Sequence, residues 1–181
     1  MKHKTLYIAI AALLPFCAAS AAPLSGSDPA EGHGVLYRVI DADTFIVNIH
    51  DEKVYERLRR HAANNERRER HLNDEHQSFR LRLANVDTPE SVHPDETRNT
   101  QEGIDLSNEV KRRIEGADVY FHCYDWGYYG RLICNMATYG NDEWSDFGYW
   151  LIREGHSPYV QRWGDNPFFH SEYLQAQEVA Q

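Results

Sequence analysis

Three short motifs in this sequence combine carboxylates, arginines and hydroxyl groups in a way that suits phosphate chemistry. They are Asp41-Ala42-Asp43-Thr44, Arg82 with Asp87-Thr88-Pro89-Glu90, and Tyr128-Tyr129-Gly130-Arg131. Carboxylates are the hard oxygen ligands that calcium prefers, and arginine forks bind phosphate oxygens bidentately. A carboxylate such as Glu90 can also orient or deprotonate a water molecule. These residue types together predict a site that binds a metal ion and a phosphate.

The stretch from Phe79 to Glu90 is the centre of this prediction. Its first half is rich in alternating apolar residues and predicts a strand, which ends before Pro89 because proline cannot donate to a ladder. A buried strand has no structural need for so many charges at its exit. Each motif alone also has an ordinary explanation, since turn aspartates usually bond their own backbone and strand arginines are often solvated. The functional interpretation therefore requires the three motifs to converge.

Five strands are predicted from runs of alternating and β-branched residues, and they place the three motifs at strand ends. The strands are expected at 35–40, 44–49, 78–86, 119–124 and 131–138. Apolar residues at helical spacing predict helices at 100–115, around 147–152, and from 168 to the C-terminus. Five strands with a helix between the third and the fourth are typical of an OB-fold barrel. We therefore predict an α+β fold built on a five-stranded OB-fold barrel with about three helices.

Residues 51–76 interrupt this order as an insertion between the second and third strands. The insertion holds seven basic and seven acidic side chains and few large apolar ones. Its composition favours helix, and two interpretations are open. It is either a solvated helical insertion, or its arginines contact phosphates. The balancing acids favour the solvated insertion. The arginines concerned are Arg57, Arg59, Arg60, Arg67, Arg68 and Arg70.

The N-terminus predicts export. Lys2 and Lys4 precede an apolar run at 5–16, which is too short to span a bilayer comfortably, and Ala-Ser-Ala at 19–21 suits a signal peptidase. We expect a secreted or periplasmic protein without stable membrane association after cleavage. The predicted division is a signal peptide at 1–21, a flexible leader at 22–34 and one domain at 35–181.

Charge and cysteine content add two expectations. Loss of the two leader lysines takes the formal net charge from −9 to −11, which excludes a global attraction to nucleic acid. Cys123 and Cys134 flank a turn-like segment at 125–130 almost symmetrically. In an oxidising compartment this spacing predicts a cross-strand disulfide, and the alternative is two small buried apolar residues.

The order and spacing of the three motifs resemble the staphylococcal nuclease (thermonuclease) family. That family combines an Asp-x-Asp-Thr hairpin, an arginine followed after four residues by Asp-Thr-Pro-Glu, and a Tyr-Gly-Arg hairpin. The resemblance covers about residues 35–179 apart from the insertion. It selects Arg82 rather than Arg80, because Arg82 lies five residues before Asp87. The resemblance implies a small OB-fold barrel with helices and a metal-dependent phosphodiesterase that uses calcium.

The resemblance also implies a role for each site residue. The metal ligands are Asp43, Asp87 and the Thr88 backbone carbonyl, and the catalytic residues are Arg82, Glu90 and Arg131. Tyr129 and Tyr159 contact a second phosphate or stack on a base, with packing in the barrel wall as the alternative.

The function implied is an exported, calcium-dependent endonuclease that acts on DNA and RNA with little sequence preference and leaves 3′-phosphates. We expect a monomer that binds through a local cationic pocket, with a shallow dependence of affinity on salt. One alternative is a non-catalytic OB-fold module that binds nucleic acid or protein. Another is a zinc protein that uses His61, His71 and His76, whose spacing matches no recognised ligand pattern.

Overall fold

The computed structural model of the chain describes residues 30–140 and 143–181. Its strands are β1 (Ala30–Asp41), β2 (Thr44–Ile49), β3 (Leu72–Asn73), β4 (Ser78–Leu83), β5 (Asp118–Trp126), β6 (Leu132–Gly140) and β7 (Glu143–Asp146). Its helices are α1 (Glu52–Ala62), α2 (Glu66–Glu69), α3 (Gln101–Ile114), α4 (Phe147–Arg153) and α5 (His170–Val179), with a 3-10 turn at Glu96–Arg98. No helix in the two described ranges is both long enough and apolar enough to cross a membrane.

Five of the strands close into a barrel. Antiparallel pairs join β1 to β2 and β5, β2 to β4, and β5 to β6. The ring is completed by β4 and β6, which run parallel with Leu81 opposite Leu132 and Leu83 opposite Cys134. Closure leaves no free edge within the ring, and of the strands in the described ranges the short β3 and β7 lie outside it. The predicted α+β fold with a five-stranded OB-fold barrel is confirmed.

The alternation in β4 shows how the sequence builds this barrel. Phe79, Leu81 and Leu83 are buried in the core, whereas the intervening Arg80 and Arg82 lie on the outer face. The same alternation that stabilises the core therefore delivers two guanidinium groups to one surface. That surface becomes one wall of the candidate site.

The three predicted helices are present as α3, α4 and α5. Helix α3 begins after Thr100, whose hydroxyl accepts a hydrogen bond from the Gly103 amide, a standard N-cap. It packs Leu106, Val110 and Ile114 against the barrel. The two short strands β3 and β7 were not predicted, because two and four residues are too few to show a period.

The prediction of a flexible leader is wrong for residues 30–34. These residues are the first part of β1 and pair with β5, from Ala30 opposite Cys123 to Gly34 opposite Val119. The glycines suggested flexibility here. Gly34 instead allows β1 to lie close to β2, since a Cβ on it would lie 2.3 Å from the Asn48 carbonyl oxygen. The predicted signal peptide and residues 22–29 lie outside the described residues.

The insertion is helical, as predicted, but α1 is not fully solvated. Its residues Tyr55, Leu58 and Ala62 recur on one face and are buried in the core region. The Tyr55 hydroxyl also donates a hydrogen bond of 2.8 Å to Asp74 at the far end of the insertion. Three apolar positions are enough to dock a helix of this length, although they are too few to stand out in so charged a sequence.

The predicted disulfide is present. Cys123 and Cys134 lie directly opposite each other in β5 and β6, with their Cα atoms 3.9 Å apart and their sulfur atoms bonded. The bond closes the hairpin whose turn precedes Arg131.

A buried polar network joins β6 to α4 and α5. Asp146 caps α4 by accepting a hydrogen bond from the Tyr149 amide, and the Tyr173 hydroxyl donates to its carboxylate at 2.6 Å. Asn135 in turn donates to the Tyr173 hydroxyl at 3.0 Å. Burial raises the pKa of Asp146 to about 6, and these hydrogen bonds offset only part of the shift.

Replacing Asp146 by asparagine is expected to remove part of the pH dependence of stability. Because the folded pKa of Asp146 exceeds its ordinary value of 3.8, its contribution is fully present below about pH 4 and is lost as the pH rises through about 6. Relative to the parent, the free energy of unfolding of Asp146→Asn should therefore rise by up to about 3 kcal/mol between pH 4 and pH 7. Urea denaturation at several pH values measures this difference.

The matched control is Asp118→Asn, which removes an exposed carboxylate from β5. Its stability should follow that of the parent across the same pH range. Parallel curves for the parent and Asp146→Asn would contradict the assignment.

Candidate active site

Asp43 links the first hairpin to the exit of β4. It lies in the turn between β1 and β2 and its side chain is only 1% exposed. One of its carboxylate oxygens accepts hydrogen bonds from the Thr88 amide at 3.2 Å and the Thr88 hydroxyl at 3.0 Å. The other accepts one from the Thr44 hydroxyl at 3.1 Å. Two of the three sequence motifs therefore meet at this carboxylate.

Arg82 bridges the two predicted metal-binding carboxylates. Its guanidinium forms an ion pair with Asp43 and another, of 2.8 Å, with Asp87. Burial raises the pKa of Asp43, while the charge of Arg82 and the Thr88 hydrogen bonds lower it. The buried carboxylate thus depends on a neighbouring cation to stay ionised.

Arg131 brings the third motif to the same place. Its guanidinium donates a long hydrogen bond of 3.4 Å to the Thr44 hydroxyl. Burial is the main cause that lowers the pKa of Arg131, and repulsion from Arg82 and Arg80 lowers it further. Asp43 and Glu90 oppose this effect. Guanidinium groups held close enough to repel one another are stabilised when an anion lies between them.

Glu90 lines the same cleft without a strong partner of its own. Among the described residues its carboxylate has no hydrogen bond or ion pair, whereas its backbone carbonyl accepts one from the Thr100 amide at 2.9 Å. The backbone is thus held while the carboxylate remains available. That combination suits a group that must orient or deprotonate a water molecule.

Asp41 is a positioning residue that the sequence analysis did not assign. It is buried and accepts hydrogen bonds from the hydroxyls of Ser91 at 2.9 Å and Ser107 at 2.8 Å. Since Ser91 follows Glu90 directly, Asp41 ties the Glu90 loop to both the first hairpin and α3. Ser91 and Ser107 are far from Asp41 in sequence, so their contacts could not be predicted. The place of Asp41 in the Asp-x-Asp motif was the one local sign that it has a role.

Gly103 sets the distance between α3 and the Glu90 loop. A Cβ on this glycine would lie 2.3 Å from the Glu90 carbonyl oxygen and 2.6 Å from that of Pro89. Both neighbours are backbone atoms, so they cannot rotate away as the end of a side chain can.

Gly103→Ala is therefore expected to displace Glu90 and to lower kcat by about 10- to 100-fold, since a shift of about 1 Å at a reacting group can cost this much. Away from such a contact, alanine in a helix would stabilise the fold by about 1 kcal/mol. Steady-state kinetics with thermal melts separate the two effects. The control is Asn108→Ala, an exposed position on the same helix. Equal activity of the two variants would contradict the positioning role.

The cleft lined by Arg82, Asp87, Glu90 and Arg131 is larger than one nucleotide requires. It has a volume of about 1310 Å³, beyond the range of about 300–1,000 Å³ that is typical of small-ligand sites. Beside Arg131 it is lined by Arg70, His71, Tyr128 and Tyr129, and beside Asp87 by Arg162 and Trp163. Such a cleft can hold a segment of a chain-like ligand.

The two tyrosines predicted to contact substrate have different positions. Tyr129 is exposed and lines the cleft. Tyr159 is only 5% exposed, its hydroxyl accepts a hydrogen bond from the Asn166 amide, and its ring packs edge-on against Tyr173. The structure therefore places Tyr159 in the core, which corrects the prediction of a substrate contact.

The insertion supports the hairpin that carries Arg131. Gly130 has a φ of +80°, and a Cβ on it would lie 2.1 Å from the Arg67 carbonyl oxygen. The guanidinium carbon of Arg67 lies 5.2 Å from the centre of the Tyr128 ring. His71 adds a hydrogen bond of 3.1 Å to the Tyr129 carbonyl oxygen. The second half of the insertion is therefore packed on the third motif.

The arginines of the insertion have mostly structural partners. Arg59 pairs with Asp74 at 3.2 Å, and Arg68 lies 5.0 Å from the Trp126 ring. Arg70 lines the cleft and is the insertion arginine best placed to meet a phosphate there. Of the six insertion arginines, Arg70 is therefore the one that the structure favours as a phosphate contact in this cleft.

The described ranges contain no group of three or more His, Cys, Asp or Glu side chains placed to hold a metal ion. The zinc hypothesis built on His61, His71 and His76 receives no support from this arrangement. The calcium hypothesis differs, because it needs only two carboxylates and a backbone carbonyl.

The closed OB-fold barrel brings Arg82 and Arg131 close to carboxylates of the first hairpin and of the β4 exit, an arrangement that suits phosphate binding. The sequence profile of the family described as staphylococcal nuclease homologue matches residues 80–181, more than half of the chain. The chain therefore belongs to that family, as predicted. A comparison with curated proteins found no significant match. The Asp41–Thr44 hairpin precedes the matched segment, and the structure joins it to that segment through Asp43 and Thr88.

Proposed function

We propose that this protein is an exported, calcium-dependent endonuclease that hydrolyses DNA and RNA with little sequence preference and leaves 3′-phosphates. Membership in a nuclease family supports the reaction class. The observation that carries the proposal is that Arg82, Asp87, Glu90 and Arg131 line one cleft, with the buried Asp43 paired to Arg82 directly behind it.

The two arginines are suited to the phosphate. Their guanidinium groups repel each other across the site, so a bound phosphodiester relieves this repulsion while it accepts their hydrogen bonds. As negative charge builds on the phosphoryl oxygens, these donors bind more strongly in the transition state than in the ground state. Phosphate contacts carry no sequence information, which supports a nuclease with little base preference.

The residues present fit a calcium ion chemically. Asp43, Asp87 and the Thr88 carbonyl would hold it as hard oxygen donors. The buried Asp43 already requires a neighbouring cation, which Arg82 supplies in this structure. Arg82 pairs with both acids in this structure, and a substrate phosphate would offer its guanidinium a further partner. When bound, calcium would neutralise charge on the phosphate.

Glu90 is assigned to the attacking water. Its carboxylate lines the cleft, while Asp41 and α3 hold the adjoining backbone. Attack by a water molecule that Glu90 orients, followed by departure of the 5′-oxygen, leaves the phosphate on the 3′ side. This outcome follows the family resemblance.

Export is proposed from the N-terminal sequence. The signal-like segment itself lies outside the described residues. The Cys123–Cys134 disulfide is of the kind that persists in an oxidising compartment.

The test is cleavage of a single-stranded DNA oligonucleotide by the purified mature protein with calcium, with a chelator, and with calcium restored. We expect cleavage that requires calcium, products that carry 3′-phosphates by end-group analysis, and a large loss of activity in Glu90→Gln. Asn108→Ala is the control, since it changes an exposed residue outside the cleft. Binding without cleavage under every condition would favour the non-catalytic alternative.

A further inference from the structure

Trp163 is exposed beside the cleft, yet the loop that carries it is firmly held. The residue is 73% exposed and lies in the segment between α4 and α5. The Asn85 side-chain amide donates hydrogen bonds to the Val160 carbonyl at 2.8 Å and the Gly164 carbonyl at 2.9 Å. The Val160 amide returns one to the Asn85 carbonyl at 2.8 Å. The loop is therefore anchored on both sides of Trp163.

The anchor belongs to the same strand exit as the candidate active site. Asn85 has a φ of +59°, a conformation that asparagine tolerates better than most residues, and it lies two residues before Asp87. The predicted strand 78–86 ends at Leu83, since this left-handed residue turns the chain out of the sheet. The turn thereby places the Asn85 side chain against the Trp163 loop and Asp87, two residues later, in the candidate site.

Arg162 contacts both the Trp163 ring and an acid of the site. Its guanidinium carbon lies 3.7 Å from the ring centre, and its terminal nitrogen lies 3.8 Å from an Asp87 carboxylate oxygen. The guanidinium thus lies between the indole ring and an acid of the site. Both Arg162 and Trp163 line the cleft. An indole ring that is exposed, held in place and adjacent to a phosphate site is suited to stack on a base.

We propose that Trp163 is a stacking platform for the nucleobase next to the bound phosphodiester, with Arg162 as the residue that orients the ring. The inference rests on the proposed function, because it places the scissile phosphate between Arg82 and Arg131. It deepens that function by assigning a subsite for an unpaired base on the Asp87 side of the cleft. The volume of the cleft leaves room for this neighbouring nucleotide.

The experiment compares two oligonucleotides of equal length, one with normal bases and one with abasic residues throughout. Binding is measured by fluorescence anisotropy with calcium in a Glu90→Gln background, so that affinity is read without cleavage. We expect Trp163→Ala to weaken binding of the normal strand by about 5- to 100-fold, the range of one base–aromatic stack. Binding of the abasic strand should stay within about twofold, and Trp163→Phe should restore most of the loss.

Trp144→Ala is the matched control. Trp144 is also exposed, but it is a residue of β7 that packs against Tyr139 and His33 and does not line the cleft. The control variant should bind both strands as the parent does. Unchanged affinity of Trp163→Ala for the normal strand would overturn the proposal. An equal loss for both strands would also overturn it, since the ring would then act on the backbone or on the loop.

The outcomes also separate this inference from the proposed function. Cleavage kinetics are measured in protein that retains Glu90. There, Trp163→Ala should raise KM and leave kcat almost unchanged. A parent protein that binds the normal strand through Trp163 but never cleaves it would refute the nuclease proposal and leave the stacking subsite standing.

Discussion

Replacing Arg131 by alanine is expected to lower kcat for phosphodiester cleavage by about 100- to 1,000-fold, the usual cost of losing one preorganised donor to a transition state. Arg131 is half-buried immediately before β6, and its guanidinium lies beside Thr44 and close enough to Arg82 to be repelled by it. Single-turnover kinetics with a short DNA strand measure the chemical step.

Arg131→Lys should recover little of the lost rate, because a lysine ammonium is a point charge and cannot bind two phosphate oxygens as a planar fork does. The matched control is Arg153→Ala, which removes the same charge from an exposed position at the end of α4. If Arg131→Ala kept kcat within about twofold of the control, the catalytic role of this residue would have to be abandoned.

Arg131 gives a cleaner test than Arg82. Arg82 supplies the cation beside the buried Asp43, so its removal leaves a buried carboxylate without its partner. Breaking such a pair typically costs about 3–5 kcal/mol of stability. A loss of activity in Arg82→Ala would therefore mix catalysis with folding, whereas the thermal melt of Arg131→Ala should stay close to that of the parent.

Removing the disulfide is expected to lower the free energy of unfolding by about 3 kcal/mol, which the chain-entropy account assigns to a loop of this length. Cys123 and Cys134 are 11 residues apart and join β5 to β6 where both contribute to the barrel. The Cys134 carbonyl also accepts the Ala84 amide hydrogen bond where β4 meets β6. The bond thus stabilises the hairpin of Arg131 and, with it, the closure of the barrel.

Urea denaturation of the oxidised parent, the reduced parent and the Cys123→Ala/Cys134→Ala variant measures this effect. Reductant should shift the midpoint of the parent and leave that of the double variant unchanged. Equal midpoints for the oxidised and reduced parent would show that the bond does not stabilise the fold. At urea concentrations too low to unfold it, the double variant should keep the activity of the parent, because the sulfur atoms lie in the core rather than in the cleft.

Much of the fold could be predicted because its signals are local. The alternation of Phe79 to Leu83 specified a strand, the helical spacing of Leu106 and Val110 specified α3, and the symmetric flanks of one turn specified the disulfide. The glycine-rich residues 30–34 failed because their local signal indicated flexibility. Their pairing with β5, about ninety positions away, decided the matter.

The candidate site divides in the same way. The acids and arginines were recognisable because each motif is contiguous and its side chains suit one chemistry. The core position of Tyr159, the support of Glu90 by Asp41 and the packing of the insertion on Gly130 were not recognisable. Each depends on residues that meet only after the barrel closes.

The sequence by itself determined the strand and helix types, the turn chemistry and the groups available for binding phosphate. These depend on the backbone preferences and periodicity of neighbouring residues. Only the tertiary structure decided that Arg82 lies between Asp43 and Asp87, and that Asn85 holds the loop of Trp163 at the cleft. Apart from the Arg82–Asp87 pair, these contacts join residues more than thirty positions apart, and no local pattern specifies the partner that each side chain will meet.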